Sequence, residues 1–251
     1  MKMMWCPETA TKAYLNTVKY CNKSGTKNLG ALEFISAMAA GWKASLIVEA
    51  LGFNMDGSGV AAAIKNSIGL AIAAYHSGGR HVCIVPNEEA RVDYICAMQR
   101  ILLPGSGVMY SLPEVVVGKA EEVMERLNGV DFLVVHGGRS EDYYGRVLRH
   151  AKFGHLGAVI IVLQNSAIRN ITDDDKMAFS TNYGFMMRWK EVLQNNRNVV
   201  RSRFVPIGSE GIDVAYVAGQ KSSCLKNKLG PNGRWIKYID RRSGEEHLFR
   251  R

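Results

Sequence analysis

Residues 44–59 read ASLIVEALGFNMDGSG, an apolar stretch that runs directly into a glycine-rich one. Ala44–Leu51 has the length and the apolar character of a buried β-strand. Gly52–Gly59 supplies the conformational freedom of a tight loop, and the alanine-rich stretch Val60–His76 predicts a long helix after it. This order of strand, loop and helix predicts the first unit of a parallel α/β sheet.

Apolar stretches of strand length continue to alternate with helical patterns as far as Leu163. Strands are predicted at Arg80–Pro86, Glu114–Gly118, Val130–His136 and Gly157–Leu163, and helices at Glu88–Leu102, Lys119–Leu127 and Glu141–Lys152. Strands that are apolar throughout are typical of a parallel sheet that helices cover on both faces.

The last third of the chain follows a different pattern. Ile168–Phe185 is polar and indicates an exposed loop, and Arg188–Leu193 indicates a short helix. Asn198–Ile207 and Ile212–Gly219 are predicted strands separated by the turn residues Gly208–Gly211, which indicates an antiparallel hairpin. A plain dinucleotide-binding sheet has only parallel strands. We therefore predict a doubly wound, Rossmann-like α/β methyltransferase fold with a mostly parallel sheet and a C-terminal antiparallel hairpin.

The length of 251 residues suits one domain of this kind. Helical patterns at Thr9–Tyr20 and Leu29–Ala40 precede the first strand. We therefore predict a single domain composed of N-terminal helices at 1–43, a Rossmann-like core at 44–219 and a basic C-terminal extension at 220–251.

Cysteine usage and the apolar stretches bear on the compartment. The five cysteines are odd in number and form no C-x-x-C pair, which is typical of a reducing environment. No apolar stretch suggests a secretory signal or a membrane span. We expect a protein of the cytoplasm, the nucleus or both, with no membrane association.

The positive charge is concentrated at the C-terminus. The net charge is +9, and Lys221–Arg251 contains nine Lys/Arg and three Asp/Glu, so this segment alone carries 9 − 3 = +6. Cations interleaved with aromatic residues suit contact with nucleic acid or an acidic partner. The alternation around Trp235, Ile236 and Ile239 also suits a strand that packs on the domain, and we favour this second interpretation.

Ligands of open α/β sheets bind beyond the carboxyl ends of the strands, next to the first strand. Candidate binding residues there are Glu49, Gly52, Gly57, Ser58 and Gly59. The glycines permit close approach, amides at the helix start favour negative groups, and Glu49 could pair with the ammonium group of a bound amino-acid moiety. The alternative is a glycine-rich connection with no ligand.

Polar residues also end the second and fourth predicted strands. Asn87 and Glu88 follow the second strand, where a dinucleotide site would want an acid for the ribose. Either Glu88 reaches back to a ribose, or Asn87 caps the next helix with Glu88 in its first turn. His136 ends the fourth strand and could stack, donate a hydrogen bond or act as a base, or simply be a packed residue.

Six stretches together resemble a family of plant proteins, domain of unknown function 1442. They are WCPETATKAYLNTVK (5–19), AAGWKASLIVEA (39–50), GGRHVCIVPNEEAR (78–91), PEVVVGKAEEVM (113–124), GVDFLVVHGGR (129–139) and RWIKYIDRRSGEEH (234–247). That family is similar to S-adenosylmethionine-dependent methyltransferases, particularly the O-methyltransferases of the catechol and caffeoyl-coenzyme A kind. The resemblance implies S-adenosylmethionine as the cofactor of the pocket.

The chain departs from the O-methyltransferase pattern at the residues that bind metal. The resemblance puts His136 where those enzymes have a metal-binding Asp, Arg139 at their lysine base, and Gln164–Asn165 at their Asp-Asn pair. Magnesium prefers carboxylate ligands, and arginine stays protonated, so we expect no metal and no arginine base.

Two functions stay open on the sequence alone. One is a metal-independent methyltransferase that positions an unidentified acceptor beside the cofactor. The other is a non-catalytic binding or regulatory module of the same fold that contacts RNA or an acidic protein. The second strand and the terminal hairpin disfavour a nicotinamide-dependent oxidoreductase.

Overall fold

A computed structural model describes residues 5–24, 30–52, 57–102, 110–136, 141–163, 199–207, 212–218, 235–239 and 246–250. The chain forms two compact units, Met1–Gln220 and Lys221–Arg251, and each is described by itself. The predicted features at Ile168–Phe185, Arg188–Leu193 and Gly208–Gly211 lie outside the described residues.

The first unit alternates helices and strands as the periodicity predicts. Its helices are α1 (Pro7–Ser24), α2 (Gly30–Gly41), α3 (Gly57–Ser77), α4 (Glu88–Leu102), α5 (Ala120–Met124) and α6 (Glu141–His150). Its strands are β1 (Leu46–Ala50), β2 (Arg80–Val85), β3 (Glu114–Val117), β4 (Asn128–Val130), β5 (Phe132–His136), β6 (Lys152–Phe153), β7 (Gly157–Leu163), β8 (Val199–Val205) and β9 (Ile212–Ala218).

Seven of these strands form one sheet in the order β3-β2-β1-β5-β7-β9-β8. The pairs from β3 to β7 are parallel, whereas β9 runs antiparallel to both β7 and β8. The strand order reverses direction between β1 and β5, which is the position where open α/β sheets bind ligands. The predicted fold, a mainly parallel sheet with a C-terminal antiparallel strand pair, is confirmed.

The short pair β4 and β6 was not predicted. The two strands are parallel and pair Asn128 with Lys152 and Val130 with Phe153. The helices α5 and α6 end earlier than predicted, at Met124 and His150, and the central strand begins at Phe132 rather than Val130. Asp131 lies between β4 and β5, where its N–H donates to the Leu46 carbonyl at 3.0 Å and its carboxylate accepts a hydrogen bond of 2.9 Å from the Ser45 N–H.

Both faces of the sheet are buried, since successive side chains of a strand point to opposite faces. Ile47 and Phe132 pack on the face covered by α3 and α4. Val48 and Leu133 pack on the other face, against α5 and α6. The central strands β1, β5 and β7 are therefore mostly apolar, as the sequence indicated. Among the described residues, no helix is both long enough and apolar enough to cross a membrane.

The second unit contains an antiparallel pair, β10 (Trp235–Ile239) and β11 (Glu246–Arg250). Trp235 pairs with Arg250, and Ile239 pairs with Glu246. The predicted strand around Trp235 is therefore present, and its partner β11 was missed. That Trp235, Ile236 and Ile239 pack on the first unit stays a prediction.

Candidate functional site

Glu49 lies on β1 with its carboxylate inside the protein rather than at the rim of a pocket. It is fully buried, and the β1 register places Cys83 of β2 and Val134 of β5 beside it. Oε1 is 2.6 Å from Nε2 of His136, and Oε2 accepts a hydrogen bond of 2.6 Å from the Ser67 hydroxyl of α3. The side chain that was predicted to face a cofactor thus has protein partners on both oxygens.

A second histidine approaches the same carboxylate. His81 on β2 is 6% exposed, and its Nε2 is 3.3 Å from Glu49 Oε2. Successive side chains of a strand point to opposite faces of the sheet, so His81 and Cys83, two residues apart on β2, point to the same face. Glu49 on the neighbouring strand β1 points to that face as well, and this brings His81 close to its carboxylate. We call Glu49, Ser67, His81, Cys83, Tyr94 and His136 the Glu49 cluster.

Within the Glu49 cluster the carboxylate carries the negative charge. Burial, followed by the charge of Glu49, raises the pKa of the Cys83 thiol well above its ordinary value. Burial likewise raises the pKa of the Tyr94 hydroxyl, with Cys83 and Glu49 adding to the effect. Both groups therefore stay protonated at neutral pH, and Cys83 has none of the thiolate character of a reactive cysteine.

The pKa of Glu49 moves in the opposite direction. Burial alone would raise it, but attraction to His136 and the hydrogen bond with His136 oppose burial, and His81 adds to them. Together these partners lower the pKa of Glu49 to about 2. The histidines hold the carboxylate in its charged form at the centre of the fold.

We expect this pairing to make the protein acid-sensitive. The folded pKa of about 2 lies below the ordinary value of 4.5, so the stabilisation is complete above about pH 4.5 and is lost as the pH falls towards 2. A difference of that size corresponds to about 3 kcal/mol. Urea unfolding measured stepwise between about pH 5 and about pH 2 should show a steep loss of unfolding free energy for the wild type. The unfolding free energy of Glu49→Gln should depend less on pH in this range. Equal pH dependence of the two proteins would contradict the low pKa of Glu49.

The other predicted residues of the first strand and loop lie at the expected edge of the sheet. Gly52 is buried directly after β1, where the neighbouring Leu51 N–H donates to the Ile84 carbonyl of β2. Gly57, Ser58 and Gly59 form the first turn of α3. The start of α3 therefore lies at the carboxyl end of β1, as the sequence predicted, and a contact with a cofactor stays a prediction.

Asn87 acts as the cap of α4. Its Oδ1 accepts a hydrogen bond of 2.8 Å from the Ala90 N–H, which is the helix-capping alternative considered from the sequence. Glu88 is exposed in the first turn and forms an ion pair of 2.8 Å with Arg91. Glu88 is therefore accessible at the end of β2, while the side chain of Asn87 is engaged by the helix.

Sequence reasoning missed Ser67 and His81. His81 could have been found, because it is a polar residue inside the buried part of β2 and falls on the same side of the strand as Cys83. Ser67 could not, since a serine inside an alanine-rich helix commonly bonds its own backbone, and Ser67 also contacts the Ala63 carbonyl at 3.1 Å. In the part of the chain that the structure describes, no group of three or more His, Cys, Asp or Glu residues could hold a metal ion. Arg139 and Gln164–Asn165 lie outside that part.

The strand order and the antiparallel β9 define the class of the fold as Rossmann-like and methyltransferase-like. The S-adenosylhomocysteine-bound methyltransferase PaMTH1 of Podospora anserina is similar, with 10% identity, a TM-score of 0.52, and coverage of 84% of this chain and 88% of that one. The O-methyltransferase TomG of Streptomyces achromogenes, solved with S-adenosylmethionine, has 19% identity and a TM-score of 0.51, with coverage of 83% and 90% respectively. These likenesses establish the fold.

The chain belongs to the family described as protein of unknown function, DUF1442, whose sequence profile matches residues 1–251. The family resemblance drawn from the six sequence stretches is thereby confirmed. Among proteins with curated descriptions, none matches the chain.

Proposed function

We propose that this protein binds S-adenosylmethionine at the carboxyl ends of β1, β2 and β5 and methylates a small acceptor without a metal ion. The observation that carries the proposal is the reversal of strand order between β1 and β5, closed by the antiparallel β9. Two similar structures with this fold hold S-adenosylmethionine or its product. Ligands of such sheets bind at this reversal.

Some of the described residues fit such a cofactor. Gly52 and the start of α3 at Gly57–Gly59 offer backbone with little steric bulk, and the exposed Glu88 offers a carboxylate for ribose hydroxyls. Glu49 fits less directly, because both of its oxygens already have protein partners. When bound, S-adenosylmethionine supplies an electrophilic methyl group.

His136 supports the metal-independent form of the proposal. It ends β5 at the reversal of the sheet, and Glu49 holds its Nε2 at 2.6 Å. A carboxylate that holds one imidazole nitrogen orients the ring, so that Nδ1 can hydrogen-bond the hydroxyl of an acceptor. His136 thus places an oriented imidazole at the position where a metal-dependent enzyme would have a metal-binding aspartate.

Calorimetric titration of the full chain with S-adenosylhomocysteine tests cofactor binding. We expect saturable binding that Glu88→Ala weakens by about 1–3 kcal/mol, because a charge-assisted partner of the ribose is lost. Glu89→Ala is the matched control, since Glu89 is an exposed neighbour in the same helical turn. Absence of binding by the wild type would contradict the proposal.

Magnesium should have no influence on that titration. His136 is engaged by Glu49, and magnesium prefers hard oxygen ligands. We therefore expect the same affinity for S-adenosylhomocysteine with added magnesium and with a chelator. A chelator that abolishes binding would show that a metal forms part of the site.

A non-catalytic module is the second candidate, and two observations favour it. Protein groups hold the Glu49 carboxylate, and the unit Lys221–Arg251 carries a net charge of +6 from nine basic and three acidic residues. In this case the basic unit would contact RNA or an acidic protein through several charges.

Truncation after Gly219 separates the two candidates. If the basic unit packs on the domain, we expect the truncated chain to melt several degrees lower, and RNA binding by the full chain to be weak and salt-sensitive. A truncated chain that melts like the full chain but loses tight RNA binding would favour the module.

A further inference from the structure

Two adjacent tyrosines in the first turn of α6 hold the carboxyl ends of the strands on either side of β5. Strand β5 lies between β1 and β7 in the sheet, and α6 is the helix that follows β5 in the chain. The Tyr143 hydroxyl donates a buried hydrogen bond of 2.8 Å to the carbonyl of Leu51, the residue directly after β1. The Tyr144 hydroxyl donates one of 3.3 Å to the carbonyl of Leu163, the last residue of β7.

Both hydroxyls remain donors at neutral pH. The two side chains are buried, and their rings pack edge to face with centroids 6.0 Å apart. Burial raises the pKa of both hydroxyls, with the charge of Glu121 adding to the effect at Tyr143 and that of Asp213 adding to it at Tyr144. Each hydroxyl therefore keeps the proton that it donates to its carbonyl.

The backbone of Leu51 is held on both sides. Its N–H donates to the Ile84 carbonyl of β2 at 3.0 Å, while its carbonyl accepts from Tyr143 of α6. The Leu51 carbonyl and the Gly52 N–H belong to one planar peptide group, in which a trans arrangement points them in opposite directions. Fixing the carbonyl on Tyr143 therefore also fixes the direction of the Gly52 N–H.

We infer that Tyr143 is a positioning residue of the cofactor site, because its hydrogen bond to Leu51 sets the orientation of the Gly52 peptide group that the cofactor contacts. The inference rests on the proposed function for the identity of the ligand. Without the hydroxyl, the buried Leu51 carbonyl loses its donor, and the peptide group can turn to recover one. The apparent affinity then falls with the fraction of chains that keep the original orientation.

NMR of the full chain, labelled with ¹³C at leucine carbonyls and with ¹⁵N at glycines, reports on this peptide group directly. Only a leucine followed by a glycine then gives a signal, and the sequence has four such pairs: Leu29–Gly30, Leu51–Gly52, Leu156–Gly157 and Leu229–Gly230. We expect Tyr143→Phe to shift the Leu51–Gly52 signal and to leave the other three in place. An unshifted Leu51–Gly52 signal would overturn the inference.

Calorimetric titration with S-adenosylhomocysteine measures the consequence for binding. Tyr143→Phe should weaken the affinity about five-fold, the usual effect of one hydrogen bond. Tyr144→Phe is the matched control, because it removes a buried hydroxyl from the next residue but acts on β7, which lies outside the proposed cofactor edge. Its affinity should equal that of the wild type. Equal weakening by the two variants would contradict the inference, since it would indicate a general loosening of α6.

The two measurements separate this inference from the proposed function. A wild type that binds no S-adenosylhomocysteine would contradict the proposed function, while the Leu51–Gly52 signal, recorded without ligand, still decides whether Tyr143 holds the peptide group. If Tyr143→Phe does not fold, the labelled wild type decides. S-adenosylhomocysteine should shift its Leu51–Gly52 signal but not that of Leu156–Gly157, at the start of β7. A Leu51–Gly52 signal that the ligand leaves in place would refute the inference.

Discussion

Replacing Glu49 by alanine is expected to lower the free energy of unfolding by about 3–5 kcal/mol, the cost of removing one partner from a buried ion pair. The substitution leaves His81 and His136 facing each other across a cavity, and it removes the acceptor of the Ser67 hydroxyl. At about 2–4 °C per kcal/mol for a chain of this size, the melting temperature should fall by roughly 6–20 °C. Urea and thermal unfolding measure both quantities.

Glu114→Ala is the matched control. Glu114 also pairs with a cation, at 2.7 Å from Arg80, but its side chain is 57% exposed, so solvent screens the interaction. We expect a loss below about 1 kcal/mol. Similar losses for the two variants would show that Glu49 is not the buried centre of a charged cluster.

The same position bears on cofactor binding. The sequence predicts that Glu49→Ala weakens binding of an adenosine-type cofactor by about 1–3 kcal/mol. Glu49→Gln is the more informative variant, since its side chain keeps nearly the same shape and can still accept a hydrogen bond from Ser67. If a folded Glu49→Gln protein binds S-adenosylhomocysteine with unchanged affinity, Glu49 has a structural role only, and other residues bind the ligand.

Gly79→Ala is the second variant for which we expect a large effect, a loss of about 3 kcal/mol or more. A Cβ at Gly79 would collide with the carbonyl oxygen of Ala44 and come within 3.2 Å of its carbonyl carbon. That backbone cannot move freely, because the Ala44 carbonyl accepts a hydrogen bond of 2.9 Å from Ser77 and the next residue, Ser45, bonds the Arg80 N–H at 2.9 Å. The start of the β1–β2 pair would have to shift.

The neighbouring Gly78 provides the control. Its φ is +68°, and a Cβ there would meet nothing within 4 Å. Gly78→Ala therefore introduces backbone strain without a collision, at a cost of about 1–2 kcal/mol. Chemical denaturation of the two variants separates the effect of steric collision from that of backbone strain. A smaller loss of unfolding free energy for Gly79→Ala than for Gly78→Ala would contradict the close contact between Gly79 and the Ala44 carbonyl.

The fold could be predicted because its signals are local. The apolar period of strands such as Gly157–Leu163 and the caps of helices such as Glu88–Leu102 depend on neighbouring residues alone, and both ranges agree with the structure. The short strands β4 and β6 were missed, since three and two residues give no readable period.

The site was only partly predictable because its geometry depends on contacts between distant segments. Glu49 was identified as a polar residue at a strand end, yet its direction depends on Ser67, His81 and His136, which come from α3, β2 and β5. Asn87 shows the reverse case. Its role in capping follows from residues within three positions of it, and that alternative was available from the sequence.

The position of β9 between β7 and β8 has a consequence for synthesis on the ribosome. β8 leaves the ribosome first, but in the described sheet it joins the other strands only through β9. Until Ile212–Ala218 has emerged, the nascent chain has an open edge at β7, whose residues are all buried in the finished protein. An unpaired apolar edge is a template for association with other chains. Stalled or prematurely ended products that stop before β9 should therefore be the ones that need chaperones.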